Sequence, residues 1–324
     1  MAEPVVGRFA PSPSGRMHLG NVLCALVAWL SARSQGGRVV LRIEDLDPAR
    51  CKPAYTRQML EDLLWLGLDW DEGPAPEGGA LCPADGRGPY FQSQCAPFYA
   101  AALERLAQAA PLYPCWCTRA QLHAASAPHA GDGTAVYPGT CRALTDAQRA
   151  ARAAAGRAAA LRIAVPDETI CFTDGHLGPQ CQNLARDCGD FVLRRADGVF
   201  AYQLAVVVDD GRMGVTEVVR GRDLLASTPR QIYLQRLLGL PQPAYRHIPL
   251  LVNPAGQRLS KRERSLDLGA LRARYTAPAL VGRLAAAAGL APSGAEAWPR
   301  ELLNVFSWGN ITKSDIIIDE SRWA

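Results

Sequence analysis

The sequence contains no long hydrophobic run. None of its apolar stretches reaches the roughly 18 residues of a membrane-spanning helix, and no signal-peptide pattern precedes the first strand-like segment. We therefore expect neither a membrane span nor secretion, and a cytoplasmic location. The sequence also has no internal repeat. Its 324 residues are 48% hydrophobic and 20% charged, which is typical of a globular chain of two or three domains.

The excess of one charge sign is also small. The 35 basic and 31 acidic residues leave a net charge of +4. This is too little to indicate nucleic-acid binding by itself, and it is compatible with an anionic partner held by a local basic patch. The ten cysteines come without a secretory signal. We therefore interpret most of them as buried thiols of a reducing compartment.

The first 47 residues have the pattern of a parallel βαβ unit. A strand is predicted over residues 5–10, then a helix that Asn21 caps and that stops at residues 36–37, then a strand over 39–43. Acidic residues 44–47 follow the second strand. Because ligands bind beyond the carboxyl ends of parallel strands, we expect the turn before the helix and these acids to share one edge.

The turn RFAPSPSGRMHLGN, residues 8–21, is longer and more basic than a structural turn needs. His18 and Gly20 lie near the predicted helix N-terminus, where free N–H groups and the helix dipole attract anions. This favours a phosphate site. A proline-rich turn with a surface histidine would account for the same residues, and the turn alone does not decide between them.

A second basic segment lies near the end of the chain. QRLSKRERS, residues 257–265, follows a strand-like LLVN, and residues 258–274 contain six basic and two acidic residues. A solvated charged face is the simplest interpretation. A Ser-Lys pair on a loop after a strand also suits the handling of a triphosphate, because a lysine can meet charge that develops on a transferring phosphoryl group.

Taken in order, these segments resemble the class I aminoacyl-tRNA synthetases. HLGN at 18–21 is similar to their HIGH signature, and RLSKR at 258–262 to their KMSKS signature. Further segments are similar to the glutamyl-tRNA synthetase branch, namely RFAPSPSG (8–15), RIEDLD (42–47), WLGLDWDEG (65–73) and YQLAVVVDDGRMGVTEVVRGRDLLASTPRQ (202–231). Each motif is weak alone, but the ordered set over residues 5–265 is specific.

The resemblance implies an α/β fold in which a Rossmann-like parallel sheet forms the catalytic domain. We expect this domain at 1–95 and 198–257, a zinc-bearing insertion at 96–197, and a signature loop with a small helical C-terminal region at 258–324. An Ala/Arg helix explains the Ala-rich run around 143–160. ALVGRLAAAAGL (279–290) and the later ELLNVFSW support packed C-terminal helices.

The short C-terminal part leaves no room for the helical anticodon-binding domain of bacterial glutamyl-tRNA synthetases. This resembles the truncated glutamyl-queuosine tRNA(Asp) synthetase family. The resemblance implies that L-glutamate is activated with ATP and Mg²⁺ and transferred to queuosine in the anticodon of tRNA(Asp). A minimal glutamyl-tRNA synthetase and a catalytically silent nucleotide- or RNA-binding paralogue are the alternatives.

Glutamate binding needs cations for the side-chain carboxylate and an anion for the ammonium group. Arginine suits the carboxylate because it offers bidentate geometry. The resemblance places the glutamate contacts at Arg8, Ser12, Glu44, Tyr202 and Arg220.

Two ion pairs would explain some of the same residues without a ligand. Arg8 could pair with Glu44 across neighbouring strand ends, and Arg220 could pair with Asp209 or Asp210.

The nucleotide contacts follow from the two signatures. We expect His18, Gly20, Asn21 and Lys261 to bind ATP, and His18, Gly20 and Lys261 to act in catalysis. In this prediction Lys261 neutralises the transition state and the departing pyrophosphate. Asp223, after a Gly-Arg turn, is a weaker candidate for orienting the substrate.

Three cysteines have the spacing of a zinc knuckle. Cys115 and Cys117 are followed by Cys141, which suits three thiolate ligands of one tetrahedral structural Zn²⁺. Ligand chemistry favours His123 or His129 as the fourth ligand, whereas the family pattern Cys-x-Cys…Tyr-x-x-x-Cys favours Tyr137. Three buried structural thiols are the alternative. Candidates for RNA contact are Trp116, Arg119 and Arg142, or the basic loop after residue 258.

Overall fold

The computed structural model describes residues 4–76, 80–81, 86–118, 121, 136–259 and 266–323. The strands within these ranges are β1 (Val6–Phe9), β2 (Arg38–Leu41), β3 (Gly73–Pro74), β4 (Ala80–Leu81), β5 (Leu112–Cys115), β6 (Ala160–Ile163), β7 (Thr169–Asp174), β8 (Gly178–Asn183), β9 (Phe191–Arg194), β10 (Glu217–Gly221), β11 (Ala244–Ile248), β12 (Leu251–Val252) and β13 (Ile316–Ile317). The α-helices are α1 (Leu19–Ser34), α2 (Pro53–Trp65), α3 (Ala96–Ala109), α4 (Asp146–Ala154), α5 (Tyr202–Arg212), α6 (Thr228–Leu237), α7 (Leu268–Arg272), α8 (Ala277–Ala288) and α9 (Pro299–Leu302). Short 3-10 helices occupy Gln92–Gln94, Arg222–Ser227 and Glu320–Arg322, and one π-helical turn occupies Leu184–Cys188.

The central sheet has four parallel strands in the order β11-β10-β1-β2. Successive residues of these strands point to opposite faces. Leu41 and Val219 enter the core that contains α1 and the C-terminal helices. Val40 and Val218 enter a second core with α3, α5 and α6. Helices on both faces and apolar strands are the pattern of a parallel sheet, which confirms the predicted α/β fold.

The predicted βαβ unit is present, with β1 and β2 paired in parallel register around α1. The predicted helix start was wrong, because His18 is the N-cap and Asn21 is the third helical residue. The Asn21 side chain accepts a hydrogen bond from the His18 amide at 3.3 Å. The helix cap therefore lies three residues earlier than the sequence pattern indicated, at residue 18 instead of 21, which brings the first turn closer to the proline-rich segment.

The segment between the two halves of the sheet carries separate antiparallel structure. Strands β5, β6 and β9 form one sheet, and β7 and β8 form a hairpin. The expected Ala/Arg helix is α4, which buries none of its residues. The division of the chain into domains at 1–95 and 198–257, 96–197 and 258–324 stays a prediction, because sheet membership does not define domain boundaries.

The hairpin also corrects part of the cysteine interpretation. Cys171 and Cys181 lie opposite each other on β7 and β8 and form a disulfide bond. Seven described cysteines are free thiols, of which four are buried and three are partly exposed, so the expectation of mostly buried thiols is met only in part. Cys82 lies outside the described residues.

The C-terminal region packs against α1 with α7, α8 and α9. The Ala-rich stretch forms α8, which ends at Gly289 with a left-handed φ of 89°. The helix expected over ELLNVFSW is mostly absent, since α9 ends at Leu302 and turns follow. No helix of the described chain is long and apolar enough to cross a membrane.

Candidate active site

A cavity of about 410 Å³ opens at the carboxyl ends of the parallel strands. Phe9 ends β1, Gly221 ends β10 and Ile248 ends β11, and all three line the cavity. It also contains every predicted glutamate and nucleotide residue that the structure describes, which are Arg8, Ser12, His18, Gly20, Asn21, Glu44, Tyr202 and Arg220. Parallel sheets bind ligands at this edge, and the volume is that of a small-molecule site.

Arg8 and Arg220 are two buried cations in this cavity, 5% and 3% exposed. Arg8 donates from Nη1 to the Val219 carbonyl at 3.0 Å. Among the described residues its Nε has no hydrogen-bond partner, and the Asp210 carboxylate oxygen lies 3.7 Å away. A buried guanidinium with unused donors is costly unless a ligand completes its hydrogen bonds. The cavity therefore suits an anionic ligand.

Arg220 is held by side chains that the sequence reasoning missed. It donates to His247, Gln231 and Thr228 at 3.0, 2.8 and 2.8 Å. Neither Asp209 nor Asp210 pairs with it in the described part of the chain, so that expected alternative was wrong. Both aspartates are instead near Arg42, which is fully buried and donates to Asp210 at 2.6 Å.

Glu44 follows β2 and contributes the acid of the cavity. Arg42 donates to its carboxylate at 3.4 Å, and no ion pair joins Glu44 to Arg8 among the described residues, which removes the other simple explanation for both side chains. Burial raises the pKa of the Glu44 carboxyl, although Arg42 and Arg8 act against the rise. An ammonium group bound beside it would stabilise the ionised form.

Tyr202 and Ser12 complete the polar lining. Tyr202 is the first residue of α5 and is half-buried. Its hydroxyl makes no hydrogen bond to the described part of the chain. Burial raises the pKa of this phenol, so the hydroxyl stays protonated and can donate to a ligand. Ser12 is exposed at the cavity wall.

The first signature forms the N-terminus of α1. His18 Nδ1 accepts from the Gly20 amide at 3.1 Å, which leaves the proton of a neutral imidazole on Nε2. A Cβ at Gly20 would lie 3.1 Å from the His18 ring, so the position favours glycine. The imidazole therefore already accepts the hydrogen bond of the Gly20 amide, and the role of Gly20 toward ATP stays a prediction.

Lys261 lies outside the described residues, but the described residues before it line the cavity and those after it contact residues that line the cavity. Leu259, before the loop, lines the cavity. After the loop, Leu268 donates its amide to the Met17 carbonyl at 2.9 Å, and Asp267 forms a β-bridge with His18. Asp223 also lines the cavity and pairs with Arg258. The two signatures are therefore adjacent through their flanking residues.

The cysteine knuckle lies apart from this cavity. The sulfurs of Cys115, Cys117 and Cys141 lie within 4.8 Å of one another. The Tyr137 hydroxyl oxygen is 3.5 Å from the Cys115 sulfur and 3.7 Å from the Cys117 sulfur, and the Cys117 and Cys141 sulfurs are 3.6 Å apart. Three thiols and one phenol oxygen thus form a compact four-atom set.

The dimensions of this set fit a tetrahedral metal ion. Zn–S bonds of about 2.3 Å and a Zn–O bond of about 2.0 Å require S–S edges of about 3.8 Å and S–O edges of about 3.5 Å. Burial opposes ionisation of the Cys115 thiol, but hydrogen bonds from Tyr137, the Cys117 amide and Arg162 outweigh it and lower the pKa. Burial raises the pKa of the Cys117 thiol to about 11 and also raises the pKa of the Tyr137 phenol, so a bound cation would have to hold these two groups in their ionised forms. The spacing of the four ligand atoms, rather than their acidity, therefore suits a metal. His123 and His129 lie outside the described residues.

The residues suggested as RNA contacts near the knuckle differ in exposure. Trp116 is 5% exposed and its indole donates to the Arg157 carbonyl at 3.1 Å, so it has no free face on which a base could stack, and that expectation was wrong. The Arg142 side chain is about half exposed and pairs with Asp190 at 3.3 Å. Arg119 lies outside the described residues.

Comparisons with known proteins agree on one family. The sequence model described as tRNA synthetases class I (E and Q), catalytic domain, matches residues 4–298. The glutamyl-Q tRNA(Asp) synthetase of Symbiobacterium thermophilum is 53% identical, over 96% of this chain and 95% of that protein. The protein of the same name from Nitratidesulfovibrio vulgaris is 49% identical, over 96% and 94%.

A solved structure shows the same fold. The crystal structure of a glutamate tRNA ligase from Elizabethkingia meningosepticum, in complex with its amino acid, superposes with a TM-score of 0.80 at 26% identity. The match covers 99% of this chain and 68% of that one. By its family match, its fold and its relatives, the chain belongs to the class I aminoacyl-tRNA synthetases of the glutamyl and glutaminyl branch, within the glutamyl-Q tRNA(Asp) synthetase family.

Proposed function

We propose that this chain activates L-glutamate with ATP and transfers it to queuosine in the anticodon of tRNA(Asp). The observation that carries the first step is the shared cavity, where two buried arginines and Glu44 lie beside the HLGN turn. The transfer to queuosine is supported by the names of the relatives. A tRNA and ATP are substrates of the cytoplasm, so the expected cytoplasmic location belongs to the same proposal.

In the first step Arg8 and Arg220 hold the side-chain carboxylate of glutamate, and Glu44 holds its ammonium group. Tyr202 and Ser12 donate or accept the remaining hydrogen bonds. An oxygen of the α-carboxylate attacks the α-phosphorus of ATP, the bond to the bridging oxygen breaks, and pyrophosphate leaves. Glutamyl-adenylate remains. Such a reaction depends mainly on positioning and charge stabilisation, and it needs no covalent enzyme intermediate.

The nucleotide is held by the two signatures. His18 donates from Nε2 to a phosphate oxygen, Gly20 and Asn21 form the turn against which the phosphates lie, and Lys261 meets the charge of the departing pyrophosphate. Among the described residues the cysteine set is the one cluster with three metal-ligating groups. We therefore infer that Mg²⁺ arrives with the phosphates of ATP and neutralises part of their charge.

In the second step a hydroxyl of the queuosine base attacks the activated carbonyl carbon. The C–O bond to AMP breaks, AMP leaves with the electron pair, and the hydroxyl proton is released. Phosphate contacts would dominate the affinity for RNA, so binding would weaken with salt.

We propose that the cysteine knuckle holds one structural Zn²⁺ through Cys115, Cys117, Tyr137 and Cys141. When bound, the ion would cross-link β5 to the segment around Cys141 and take no part in the reaction. We predict one equivalent of zinc per chain in protein purified without chelators, and less than half of that in Cys117→Ser, because a thiolate ligand is lost.

Elemental analysis of both proteins checks this prediction. Cys51→Ser is the matched control, since Cys51 is likewise a half-buried free thiol outside the cluster, and it should retain the full equivalent. Wild-type protein without zinc, or equal loss in both variants, would contradict the assignment and leave three structural thiols.

The acceptor is tested by offering labelled glutamate and ATP with purified tRNA. We expect label to enter tRNA(Asp) that carries queuosine, and neither tRNA(Asp) without it nor tRNA(Glu). Transfer to tRNA(Glu) through a base-labile terminal ester would instead favour the minimal glutamyl-tRNA synthetase. Folded protein that transfers glutamate to none of the three would favour the silent paralogue.

A further inference from the structure

Arg220 is fixed from the side that faces away from substrate. Its five N–H donors include three that already bond to His247, Thr228 and Gln231. Within the described residues, one N–H on each terminal nitrogen is left for a ligand. Two parallel N–H groups are the geometry that binds a carboxylate bidentately. The direction of this fork depends on the three supporting bonds.

His247 supplies the support at Nε. It is the register partner of Arg220 on the neighbouring strand β11 and is fully buried. Because Arg220 donates to Nε2 at 3.0 Å, Nε2 must be unprotonated. The other ring nitrogen, Nδ1, lies 2.6 Å from Asp174 Oδ2 and donates its proton there. The imidazole is therefore neutral, with its tautomer set by Asp174.

The charges around His247 agree with a neutral ring. Burial and the charges of Arg220 and Arg8 lower its pKa, against the opposite effect of Asp174. The Thr228 hydroxyl lies 3.4 Å from Nε2, and the Tyr245 ring stacks against the imidazole on the same strand. If the imidazole were protonated, its Nε2–H would point at the Nε–H of Arg220. Two donors and two positive charges would then face each other, which is unfavourable.

We propose that Asp174 and His247 are positioning residues that orient Arg220 for the side-chain carboxylate of the amino-acid substrate. This deepens the proposed function and rests on it. Asp174 does not reach the cavity. It fixes the His247 tautomer, and His247 then offers an acceptor to the arginine that binds substrate. A chain of two hydrogen bonds thus links Asp174 in the β7–β8 hairpin, through His247, to Arg220 in the parallel sheet.

Asp174→Asn separates this role from a structural one. Asp174 Oδ1 accepts from the backbone amides of His176, Leu177 and His247 at 3.0, 2.8 and 3.2 Å, and an asparagine oxygen can keep all three bonds. Its NH₂ group would then replace Oδ2 and face Nδ1. The imidazole must respond by placing its proton on Nε2, so that two donors oppose each other at Arg220.

The test measures glutamate-dependent ATP–pyrophosphate exchange in Asp174→Asn, His247→Gln and His247→Leu. We expect Asp174→Asn to raise the KM for glutamate about tenfold or more, because a hydrogen bond to a charged group is misdirected. The KM for ATP should not change. His247→Gln keeps an oxygen acceptor for Arg220 and should therefore lie closer to wild type than His247→Leu, which keeps none.

His176→Gln is the matched control. His176 is a buried histidine at the same hairpin turn, but its ring contacts the Thr312 carbonyl at 3.1 Å and not Arg220. It should leave the KM for glutamate unchanged. Thermal unfolding of each variant shows whether it is folded. If Asp174→Asn is not folded, the comparison of His247→Gln with His247→Leu tests the positioning role instead.

Three outcomes would overturn the inference while the proposed function stands. The first is a folded Asp174→Asn with the wild-type KM for glutamate, and the second is an equal rise in the KM values for glutamate and ATP. The third is an equal effect of His247→Gln and His247→Leu on the KM for glutamate. If wild-type protein shows no glutamate-dependent exchange, the proposed function itself fails, and this inference fails with it.

Discussion

Two guanidinium groups share one small cavity, and each is oriented by different neighbours. Arg8 bonds to the carbonyl of Val219, 211 positions away in the sequence, while Arg220 bonds to three side chains. Two buried cations repel each other, while the buried Asp210 lies 3.7 Å from Arg8 and Glu44 in the cavity lining pairs with Arg42. A dianionic amino acid with one ammonium group would complete the set of charges, which is the electrostatic basis of the glutamate proposal.

At Glu44 we predict that substitution by glutamine raises the KM for glutamate by roughly tenfold to a hundredfold, because a charged partner of the ammonium group is lost. The KM for ATP should stay close to wild type in exchange assays. Glu72→Gln is the control, since Glu72 is a buried carboxylate that pairs with Arg38 at 2.7 Å outside the cavity.

The same variant gives a pH test. Ammonium binding needs the ionised Glu44, and burial raises its pKa. As pH falls, the wild-type KM for glutamate should therefore begin to rise. The rise should start at a higher pH than it would if Glu44 had the ordinary carboxyl pKa of about 4.3. Glu44→Gln should lack this component. A wild-type pH profile that matches the variant would contradict the assigned role.

Single residues were predictable where they belong to one of the motifs. Arg8, Glu44, Tyr202 and Arg220 do meet in one cavity, although their roles toward glutamate stay predictions. His247 could not be found this way, because a lone histidine in a strand carries no local signal and Asp174 is 73 positions away. The capping role of His18 was missed because N-caps are usually Ser, Thr, Asp or Asn.

The β7–β8 hairpin connects the structure outside the parallel sheet with the site. Asp174, at the end of β7, bonds to both the backbone and the ring of His247 on β11. The hairpin turn is closed by backbone bonds to Asp174, and its strands carry the Cys171–Cys181 disulfide. The stability of this element therefore bears on the orientation of Arg220.

We predict that reduction of this disulfide lowers the free energy of unfolding by at most about 3 kcal/mol, because the bond closes a loop of only about ten residues. Urea unfolding of wild type with and without reductant measures the difference. The Cys171→Ser/Cys181→Ser double variant should unfold near the reduced midpoint and be insensitive to reductant. An unchanged wild-type midpoint, with the thiols shown to be free by alkylation, would contradict the prediction.

Elements were predictable where the periodicity is strong and local. Apolar runs bounded by Gly and Pro predicted β1 and β2, and the Ala-rich stretch predicted α8. The disulfide was missed because spacing alone does not show that two cysteines face each other. A signal existed in TICFTDGHLGPQCQN, where an Asp-Gly turn separates two alternating segments. The expected helix over ELLNVFSW failed after Leu302, where turns replace it.

At the scale of the whole molecule, the site depends on a sheet assembled from distant segments. Strand β1 pairs with β2 and with β10, and β10 pairs with β11, so that the ends of strands about 200 residues apart meet at one edge. The proline-rich turn and the acidic residues 44–47 predicted part of that convergence, because each follows a strand. They could not predict the side chains that support it, since those come from elements outside the motifs.

The most direct test of the account is ATP–pyrophosphate exchange by purified protein without any tRNA. We predict exchange that requires glutamate and is not supported by glutamine, because two buried guanidinium groups select a carboxylate. Lys261→Ala should lower the rate roughly a hundredfold to a thousandfold, while the control Lys313→Ala, an exposed lysine outside the cavity, should retain it. Folded protein that shows no exchange, or exchanges equally with glutamine, would contradict the account.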